Sequence, residues 1–417
     1  MTRIWIVNHY AGGPGIGTGW RHWELARRWI GAGGQVRVFT ASTSIGGNLN
    51  PERRGTRELD GVPFHFISAP PYGGNSLGRL RNILAFNHGV GPALLRTADT
   101  LRERPDVVLA SSPQPLVWPT AARVARRLQA AFVPEIRDLW PESLQQLAGL
   151  PDWHPLVIWC RRADRMALRS ASSVFSPLPG VESAVRSRGH ASLRCVTVVN
   201  GVSMEPAPPP ELDPDLRAWV EQARSAGRRI LLYAGAFGVP NAMDQLLDAV
   251  ELLSPRHRQG LLVLLAGDGS ERERLERRSE SRSLPMRFVG PRPQPQIRAL
   301  CRACDAGFLG WLDRPLYRFG IAPQKRGLML GEGLPLVHAV PHDLVNESAL
   351  GTGWSTPAGQ PAALARTLGE FLETSAATLL IKRDRCRSYA HEHLDWDRVA
   401  DAAWAELSRL VQQRMHR

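Results

Sequence analysis

The feature that most constrains the fold is a short apolar strand followed by a glycine-rich loop, a helix and a second strand. Residues 3–8 form the first strand pattern, and five glycines lie between Gly12 and Gly19. Residues 20–30 place apolar side chains at helical spacing, and residues 35–40 alternate as a second strand. This order predicts a βαβ unit with two parallel strands in one sheet. The glycines let the backbone approach a ligand at the start of the helix.

The same alternation of strands and helices returns in the second half of the chain. It begins at Arg229, beyond a proline-rich stretch at residues 204–215, and predicts a second parallel sheet covered by helices. A chain of 417 residues is long enough for two domains of ordinary size. We therefore predict an α/β protein with domains at residues 1–204 and 229–388, separated by a proline-rich linker region at residues 205–228.

Residues 317–336 carry a motif that suits an anion. Gly320 loosens the backbone, Pro323 suits the first turn of a helix, and residues 324–330 can form that helix. A helix start presents unpaired N–H groups and the positive end of a dipole, and Lys325 adds a full positive charge there. Lys325 is one of two lysines among 52 basic residues, which suits a site that needs a compact point charge. The motif favours a diphosphate site, with an ordinary solvated lysine as the alternative.

A second group of polar residues follows a predicted buried strand in the first half. The sequence from Glu135 to Ser143 packs three acidic residues and Arg137 around a tryptophan. Open α/β sheets place ligand contacts at the carboxyl ends of their strands. We favour a binding role for Arg137 and Asp138, with a simple ion pair between these two side chains as the alternative.

Several other classes of site and protein are not supported by the sequence. The first glycine loop contains no Gly-x-Gly-x-x-Gly and no Gly-Lys dipeptide occurs, which argues against a dinucleotide-dependent oxidoreductase and a Walker-type phosphate loop. Cys301 and Cys304 lack a second cysteine pair or a nearby histidine, so we expect packed thiols and no zinc site. No apolar run approaches the ~18 residues that span a bilayer, and the N-terminus shows no signal-peptide pattern. We expect a cytoplasmic protein.

The positive charge of the chain is concentrated in its first half. Residues 1–200 contain 24 arginines and 13 acidic residues, whereas residues 201–417 contain 28 basic and 26 acidic residues. This distribution suits an anionic partner such as a membrane surface, although arginine can also serve as a generic surface cation. Few aromatic residues interleave the arginine runs, which argues against nucleic-acid binding.

Residues 153–169 form an amphipathic segment that ends in four arginines. Its apolar residues on or near one side are Trp153, Leu156, Val157, Trp159 and Cys160. The pattern fits a helix that rests on an anionic membrane surface. It fits equally well a helix that covers the sheet and exposes a charged outer face.

A series of short motifs runs in a fixed order along nearly the whole chain. They are Asn8-His9-Tyr10 with the glycine loop, residues 18–26, residues 135–143, Asn200-Gly201-Val202, Tyr233-Ala234-Gly235, Ala266-Gly267-Asp268-Gly269, residues 317–325 and residues 394–397. In their order and spacing the chain resembles the family 4 retaining glycosyltransferases of GT-B fold. It is similar in particular to the bacterial fucosamine-transferase-like branch, which acts in surface-polysaccharide biosynthesis.

The resemblance implies two Rossmann-like domains that face each other across a cleft. It assigns the acceptor to the first domain and the nucleotide sugar to the second, and it implies a C-terminal helix at residues 389–417 that packs back on the first domain. By matching position, Lys325 would hold the donor diphosphate, while Arg137 and Asp138 would lie near the donor sugar. These three residues are the expected catalytic set.

The expected binding residues lie in glycine turns or near helix starts that match nucleotide-binding positions of the family. They are Gly15, Gly17, Thr18, Gly235, Phe237, Gly290, Arg292, Gly320, Ile321, Gln324, Lys325 and Glu332. The loop from Gly15 to Thr18 would close over the reacting phosphate, and residues 290–292 would line the base.

The sequence departs from the family pattern near Lys325. Many relatives carry two glutamates eight residues apart, the second of which binds ribose hydroxyls, and the matching residues here are Gly320 and Leu328. The first glutamate is commonly missing in this branch, but an apolar residue at the second position is unexpected. Glu332 lies four residues further on, at helical spacing, and is expected to substitute. An altered donor site or an inactive enzyme are the alternatives.

The resemblance implies transfer of a sugar from a nucleotide diphosphate, with uridine favoured, to a hydroxyl of a lipid-linked or glycan acceptor. The anomeric configuration would be retained. No cofactor or metal ion is expected, because positive protein charge faces the leaving diphosphate. An anionic membrane is a further expected partner, with the protein peripheral at the inner face of the plasma membrane. The alternatives are a nucleotide-sugar 2-epimerase of the same fold and a catalytically silent basic membrane-binding module.

Overall fold

The computed structural model divides the chain into two compact units. It describes residues 1–17, 19–44, 47–74, 77–204, 211–341 and 344–415. The first unit contains residues 1–200 and 396–417, and the second unit contains residues 201–395. Each unit has its own parallel sheet and its own core, as the alternation of strands and helices predicts.

The first unit is built from these strands and helices, numbered along the chain. The strands are β1 (Arg3–Asn8), β2 (Gln35–Ala41), β3 (Thr56–Leu59), β4 (Val62–Ile67), β5 (Val107–Ser111), β6 (Ala131–Glu135), β7 (Val174–Ser176) and β8 (Cys195–Thr197). The helices are α1 (Arg21–Gly31), α2 (Leu77–Leu101), α3 (Trp118–Arg127), α4 (Glu142–Gln146), α5 (Pro155–Ser170) and α6 (Val181–Ser187).

Within the described residues, the first unit forms an eight-stranded sheet in the order β3-β4-β2-β1-β5-β6-β7-β8. Neighbouring strands are parallel, except that β3 runs antiparallel to β4. All residues of β5 and β6 are buried, as expected for central parallel strands that helices cover on both faces. The carboxyl ends of β1 and β6 therefore bring the glycine loop and Glu135 to the same edge of the sheet.

The second unit begins with a helix and then alternates. Its strands are β9 (Arg229–Ala234), β10 (Leu261–Ala266), β11 (Met286–Gly290), β12 (Ala306–Gly310), β13 (Leu336–Val340) and β14 (Gly353–Pro357). Its helices are α7 (Pro214–Ser225), α8 (Met243–Glu251), α9 (Pro255–Gln259), α10 (Arg272–Ser281), α11 (Gln294–Ala303), α12 (Gln324–Gly331), α13 (Glu347–Leu350), α14 (Pro361–Glu373) and α15 (Ala376–His393).

The sheet of the second unit has the order β11-β10-β9-β12-β13-β14 within the described residues. Its strand pairs are parallel. Every residue of β10 is buried, because its continuous apolar sequence is covered on both faces. The chain crosses from β10 to β11 on one side of β9 and from β12 to β13 on the other, which opens a crevice at the carboxyl ends of the strands.

The last helix, α16 (Trp396–Met415), packs on the first unit. The side chains of Trp396, Ala403 and Leu407 lie in the core of that unit, and the Trp29 indole N–H donates to the Ala400 carbonyl at 3.0 Å. The predicted return of the C-terminal helix to the first domain is thereby confirmed.

The observed boundaries differ in detail from the predicted domain limits of 1–204, 205–228, 229–388 and 389–417. The units divide after Asn200 and again after Asp395. The expected linker is helical where α7 lies, because Pro214 occupies the first turn of a helix, whereas residues 205–210 lie outside the described residues. The second boundary follows α15, since burial of Trp396 in the first core fixes where α16 begins.

Candidate active site

Three glycine turns meet at the carboxyl ends of β9, β10 and β11. The Gly235 N–H donates to the Ala266 carbonyl and the Gly267 N–H donates to the Gly290 carbonyl, both at 2.9 Å. Gly267 has a φ of +152°, and a methyl group at its Cα would lie 1.8 Å from the Gly235 carbonyl oxygen. Only glycine therefore allows the first two turns to touch.

Lys325 lies in the first turn of α12 and reaches the first of these turns. The chain is extended at Pro323, which precedes the helix. The Lys325 Nζ donates to Asn241 Oδ1 at 2.9 Å and to the Tyr233 hydroxyl at 3.3 Å, and it lies 4.4 Å from the centre of the Tyr233 ring. An alanine Cβ at Gly235 would lie 3.3 Å from Nζ. The ammonium thus sits beside bare backbone, where an anion can approach it.

The electrostatic state of Lys325 follows from these neighbours. Both of its hydrogen-bond acceptors are neutral, and the described residues place no carboxylate within ion-pair distance of it. Burial lowers the pKa of the Lys325 ammonium to about 7, because no negative charge compensates the cost of removing the ammonium from water. A bound diphosphate would supply that missing charge.

A cavity of about 250 Å³ opens beside Lys325; we call it the Lys325 cavity. It is lined by Ala234, Gly235, Ala266, Gly267, Pro291, Arg292, Ile297, Lys325, Leu328 and Met329. The lining residues come from the ends of three strands, from α11 and from one side of α12. The cavity therefore lies at the carboxyl ends of β9, β10 and β11, where open α/β sheets place ligands.

A buried ion-pair network fixes α12 in place. The Arg326 guanidinium donates from Nε to Glu347 Oε1 at 2.6 Å, and the Thr352 hydroxyl and His338 Nδ1–H bond to the same carboxylate. Burial alone would raise the pKa of Glu347, but Arg326 and the His338 hydrogen bond outweigh it and hold the pKa below its usual range. Because Arg326 is the neighbour of Lys325, the network sets the orientation of the first turn that carries the ammonium.

Arg53 stabilises the glycine loop of the first unit by hydrogen bonds to its backbone carbonyls. Gly15 and Gly17 have positive φ angles of +74° and +111°. The buried Arg53 guanidinium donates to the carbonyls of Ala11 at 2.7 Å and Ile16 at 3.0 Å, and burial lowers its pKa to about 10. All of its described partners are neutral oxygens, so a positive charge lies directly under the loop. Sequence analysis did not identify Arg53, which lies 37 residues from Ile16.

Two family models match the chain in succession. The first, described as a glycosyl transferase 4-like domain, matches residues 16–201, and the second, described as glycosyl transferases group 1, matches residues 218–322. The curated "probable glycosyltransferase WbjE" of Pseudomonas aeruginosa is 21% identical over 388 residues, which cover 91% of this chain and 92% of that protein.

Solved structures agree with these matches in their fold. Sucrose-phosphate synthase from Thermosynechococcus elongatus superposes with a TM-score of 0.72 at 16% identity and covers 100% of both chains. HepE from Anabaena, in complex with UDP, superposes with a TM-score of 0.68 at 19% identity over 98% of this chain and 100% of that one. Together these findings support a glycosyltransferase of GT-B fold. The predicted α/β fold with two Rossmann-like domains is confirmed.

The binding residues expected in the second unit fall into two groups. Gly235, Arg292 and Lys325 line the Lys325 cavity, and Gly290 accepts the hydrogen bond that joins the second and third turns. The Phe237 side chain is fully buried in the core and its N–H donates to the Asp268 carbonyl, so its N–H is already used within the protein. Its expected contact with a ligand therefore receives no support from this geometry.

The remaining predicted residues around α12 also differ in their placement. Gly320 ends a short 3-10 helix with a φ of +97°, Ile321 is buried, and Gln324 is exposed at the start of α12. Leu328 lies on the side of α12 that faces the Lys325 cavity. Glu332 does not line this cavity.

Glu332 was expected to replace the acidic residue that is missing at position 328. Instead, α12 ends at Gly331, and the buried Glu332 carboxylate accepts hydrogen bonds from Arg298 at 2.5 Å and from Arg302. Both oxygens therefore serve α11 and not a ligand in the Lys325 cavity. Glu332 keeps its helical spacing from Leu328, since its N–H donates to the Leu328 carbonyl at 3.1 Å. The expectation fails because two arginines of α11, 34 and 30 residues away in sequence, bind the carboxylate.

The expected residues of the first unit are only partly described. Thr18 lies outside the described residues. Arg137 is half-buried and its backbone N–H donates to the Ser112 hydroxyl at 2.9 Å, whereas Asp138 is exposed. No ion pair joins the side chains of these two residues in the described structure, so the alternative of a simple Arg137–Asp138 pair is not found.

A buried network around Glu135 is a feature that the sequence analysis missed. Glu135 accepts hydrogen bonds from Arg21 Nη2 at 2.7 Å, His22 Nε2 at 2.9 Å and the Ser111 hydroxyl at 2.5 Å. Burial alone would raise the pKa of Glu135, but Arg21 and His22 keep it well below its usual range. The network locks the first turn of α1 to the end of β6. The sequence signal that could have indicated this network is the pair of basic residues Arg21 and His22 just after the glycine loop.

The amphipathic segment at residues 153–169 is arranged differently from the prediction. Val157 and Cys160 are fully buried, Leu156 is half-buried, and Trp153 and Trp159 are 74% and 41% exposed. The five apolar residues therefore do not share one face: α5 buries Val157 and Cys160, whereas Trp159 in the helix and Trp153 before it are exposed. No helix in the described part of the chain is long and apolar enough to cross a membrane. Within the same residues, no group of three or more potential metal ligands is found.

Proposed function

We propose that the protein is a retaining glycosyltransferase that moves a sugar from a nucleotide diphosphate to a hydroxyl of a lipid-linked or glycan acceptor. The observation that carries the proposal is the Lys325 ammonium, held by Asn241 and Tyr233 beside the bare Gly235 turn. This arrangement suits a diphosphate, since it combines a fixed cation with backbone that a phosphate can approach closely. UDP is the first candidate nucleotide, because structures of the similar HepE contain UDP and UDP-glucose.

In the proposed mechanism Lys325 stabilises the leaving group. Negative charge builds on the diphosphate as the bond to the sugar breaks, so a preorganised ammonium gains most in the transition state. The Lys325 cavity offers no carboxylate nucleophile among its described residues, and the leaving phosphate is proposed to assist the incoming hydroxyl on the same face of the sugar. Fixed protein charge takes the place of a metal ion in this proposal.

The acceptor is proposed to lie at an anionic membrane, at the inner face of the plasma membrane. The support is a surface that we call the outer face of α5. We define it as Trp159, Arg162, Arg165, Met166 and Arg169 of the helix together with Trp153, two residues before the helix. All six side chains are exposed, and the single acidic residue of α5, Asp164, is buried. Exposed tryptophan beside arginine suits the headgroup region of a bilayer. A role in bacterial surface-polysaccharide assembly would fit such an acceptor.

Proton NMR of nucleotide sugars incubated with the purified protein tests the proposal. With a bacterial membrane-lipid extract present, we expect release of the nucleoside diphosphate and a new glycoside signal of the same anomeric configuration as the donor. Turnover of the nucleotide sugar to its 2-epimer without any lipid would show an epimerase instead. A product of inverted configuration would contradict the proposed mechanism, and no reaction with any donor would contradict the enzyme activity.

A further inference from the structure

The side of the Lys325 cavity next to the ammonium is formed by an apolar residue. Leu328 follows Lys325 by three residues on α12, so both side chains lie on one side of the helix, and both line the cavity. Met329 and Ile297 extend the apolar surface on this side. A group attached directly to a diphosphate at Lys325 would therefore rest against hydrocarbon.

The side chains that line the cavity offer hydrogen-bond donors but no acceptors. Among the described lining residues, the polar side chains are those of Lys325 and Arg292, and neither type can accept a hydrogen bond. Arg292 is itself occupied, since its guanidinium donates to the Val289 carbonyl at 3.1 Å and to Asp215 at 2.6 Å. A hydroxyl of a bound ligand would find no side-chain carboxylate or amide oxygen among these lining residues.

Asp268 adjoins Gly267 but does not line the cavity, and its carboxylate accepts from the Gly269 N–H at 2.9 Å and lies 3.8 Å from Arg272. Three further carboxylates, those of Asp213, Asp215 and Glu332, have other partners. Asp213 and Asp215 pair with Arg292 at 3.4 and 2.6 Å. Glu332 pairs with Arg298 and Arg302 and is only 5% exposed. Turning Glu332 towards the cavity would take the carboxylate from both Arg298 and Arg302, which is costly because these groups are partly buried.

We propose that this donor site does not read the ribose hydroxyls, so that it accepts 2′-deoxynucleoside diphosphates as well as the corresponding ribonucleotides, and that Leu328 sets this property. The proposal rests on the proposed function, which places a nucleoside diphosphate at Lys325. The ribose is bonded to the diphosphate and lies between Lys325 and the turn at Pro291, against Leu328. The substrate class of the enzyme then includes sugars carried by 2′-deoxynucleotides such as thymidine diphosphate.

The physical reason is that polar and apolar sites discriminate differently between a ligand with a hydroxyl and an analogue without it. A site built to hydrogen-bond a hydroxyl rejects the analogue that lacks it, because the polar groups of the site are then left unpaired. An apolar wall discriminates weakly and gains nothing from the hydroxyl. Wild-type protein should therefore bind UDP and 2′-deoxy-UDP within about threefold of each other. A carboxylate at position 328 should restore a preference for UDP of roughly tenfold, the effect of one charge-assisted hydrogen bond.

Calorimetric titration of the intact protein with matched nucleotide pairs tests this proposal. The probes are UDP with 2′-deoxy-UDP, ribothymidine diphosphate with thymidine diphosphate, and the guanosine and adenosine pairs, so that the choice of base does not decide the result. Wild-type, Leu328→Glu and Leu328→Met proteins are compared. Leu328→Met keeps the volume and the apolar wall, and it should bind both members of a pair equally well.

The outcomes distinguish this inference from the proposed function. Equal affinity in wild type and in Leu328→Met, with a ribonucleotide preference in Leu328→Glu, supports the inference. Tenfold or greater preference of wild type for a ribonucleotide overturns it while leaving the nucleotide site intact. A Leu328→Glu protein that binds nucleotide without any preference overturns the role of Leu328. Failure of every nucleotide to bind to wild type contradicts the proposed function itself.

Discussion

At the scale of single residues, the candidate site of the second unit contains a lysine that has no negative partner among the residues that the structure describes. Asn241 and Tyr233 hold the Lys325 ammonium by hydrogen bonds to neutral oxygens, and burial lowers its pKa to about 7. Lys382, the other lysine of the chain, donates to the Gly353 carbonyl at 3.1 Å and lies over the Trp354 ring. Lys325 therefore lines a cavity, whereas the described contacts of Lys382 are with groups within the fold, so a substitution of Lys382 is a suitable control for one of Lys325.

The lowered pKa of Lys325 predicts how stability changes with pH. An unfolded lysine has a pKa of about 10.4, so between pH 7 and 10 the unfolded chain binds a proton that the folded chain lacks. The free energy of unfolding of wild type should therefore rise across this window relative to Lys325→Met. Melting temperatures of both proteins at pH 7, 8.5 and 10 measure the change. A pH-independent difference between wild type and Lys325→Met would refute the prediction.

The sequence was informative about Lys325 because its signal is local. Gly320, Pro323 and the lysine itself lie within six residues, and the structure starts α12 directly after Pro323. Its partners could not be predicted, since Asn241 and Tyr233 are 84 and 92 residues away. Asn and Tyr residues are common, and nothing in their own surroundings marks these two as partners of a lysine.

At the scale of elements, the site depends on turns and helix ends that the strands bring together. The alternating pattern predicted most of the strands and helices, because buried parallel strands are continuous apolar runs such as Leu261–Ala266. The predicted helix at residues 324–330 agrees with α12, but the pairing of Glu332 with Arg298 and Arg302 of α11 was not predicted, so Glu332 was expected to line the site. Long-range networks such as Arg326 with Glu347 and Arg21 with Glu135 were also beyond the sequence, because they join segments 21 and 114 residues apart.

Because the first two glycine turns are in contact, we expect that adding a single methyl group at Gly267 strongly destabilises the protein. Gly267→Ala would place a Cβ 1.8 Å from the Gly235 carbonyl oxygen, and the two turns must separate to admit it. We expect a loss of roughly 3 kcal/mol or more in the free energy of unfolding, measured by chemical denaturation. Gly260→Ala is the matched control, because its nearest neighbour would lie at 3.5 Å and its φ of −79° suits alanine. Equal stability of the two variants would show that the turns do not touch as described.

At the scale of the whole molecule, charge is distributed unevenly between the two units. The arginine excess of residues 1–200 includes three exposed arginines on the outer face of α5, and the same surface includes exposed Trp153 and Trp159. Each basic residue near an anionic bilayer contributes about 1 kcal/mol, which salt screens. The aliphatic side of the same helix is already used in the core, so membrane contact would need no unfolding of α5.

Vesicle co-sedimentation measures whether this face binds lipid. We expect wild-type protein to bind vesicles with 30% phosphatidylglycerol (about a third anionic lipid, as suits a test of charge) and to dissociate as salt is raised. Replacement of Arg162, Arg165 and Arg169 by glutamine should weaken binding at least tenfold, since each arginine contributes about 1 kcal/mol. The matched control replaces Arg256, Arg277 and Arg287, which are exposed in the second unit. An equal loss in both triple variants would show that net charge, and not the α5 face, controls binding.

The central claim is that a nucleoside diphosphate binds at Lys325, and a thermal-shift titration tests it most directly. Wild-type, Lys325→Ala and Lys382→Ala proteins are titrated with UDP, GDP, ADP and thymidine diphosphate. A ligand that binds only the native state must raise the melting temperature. We predict that at least one nucleotide stabilises wild type and Lys382→Ala, and that this stabilisation is lost in Lys325→Ala. Stabilisation that persists in Lys325→Ala, or its absence with all four nucleotides in wild type, would contradict the claim.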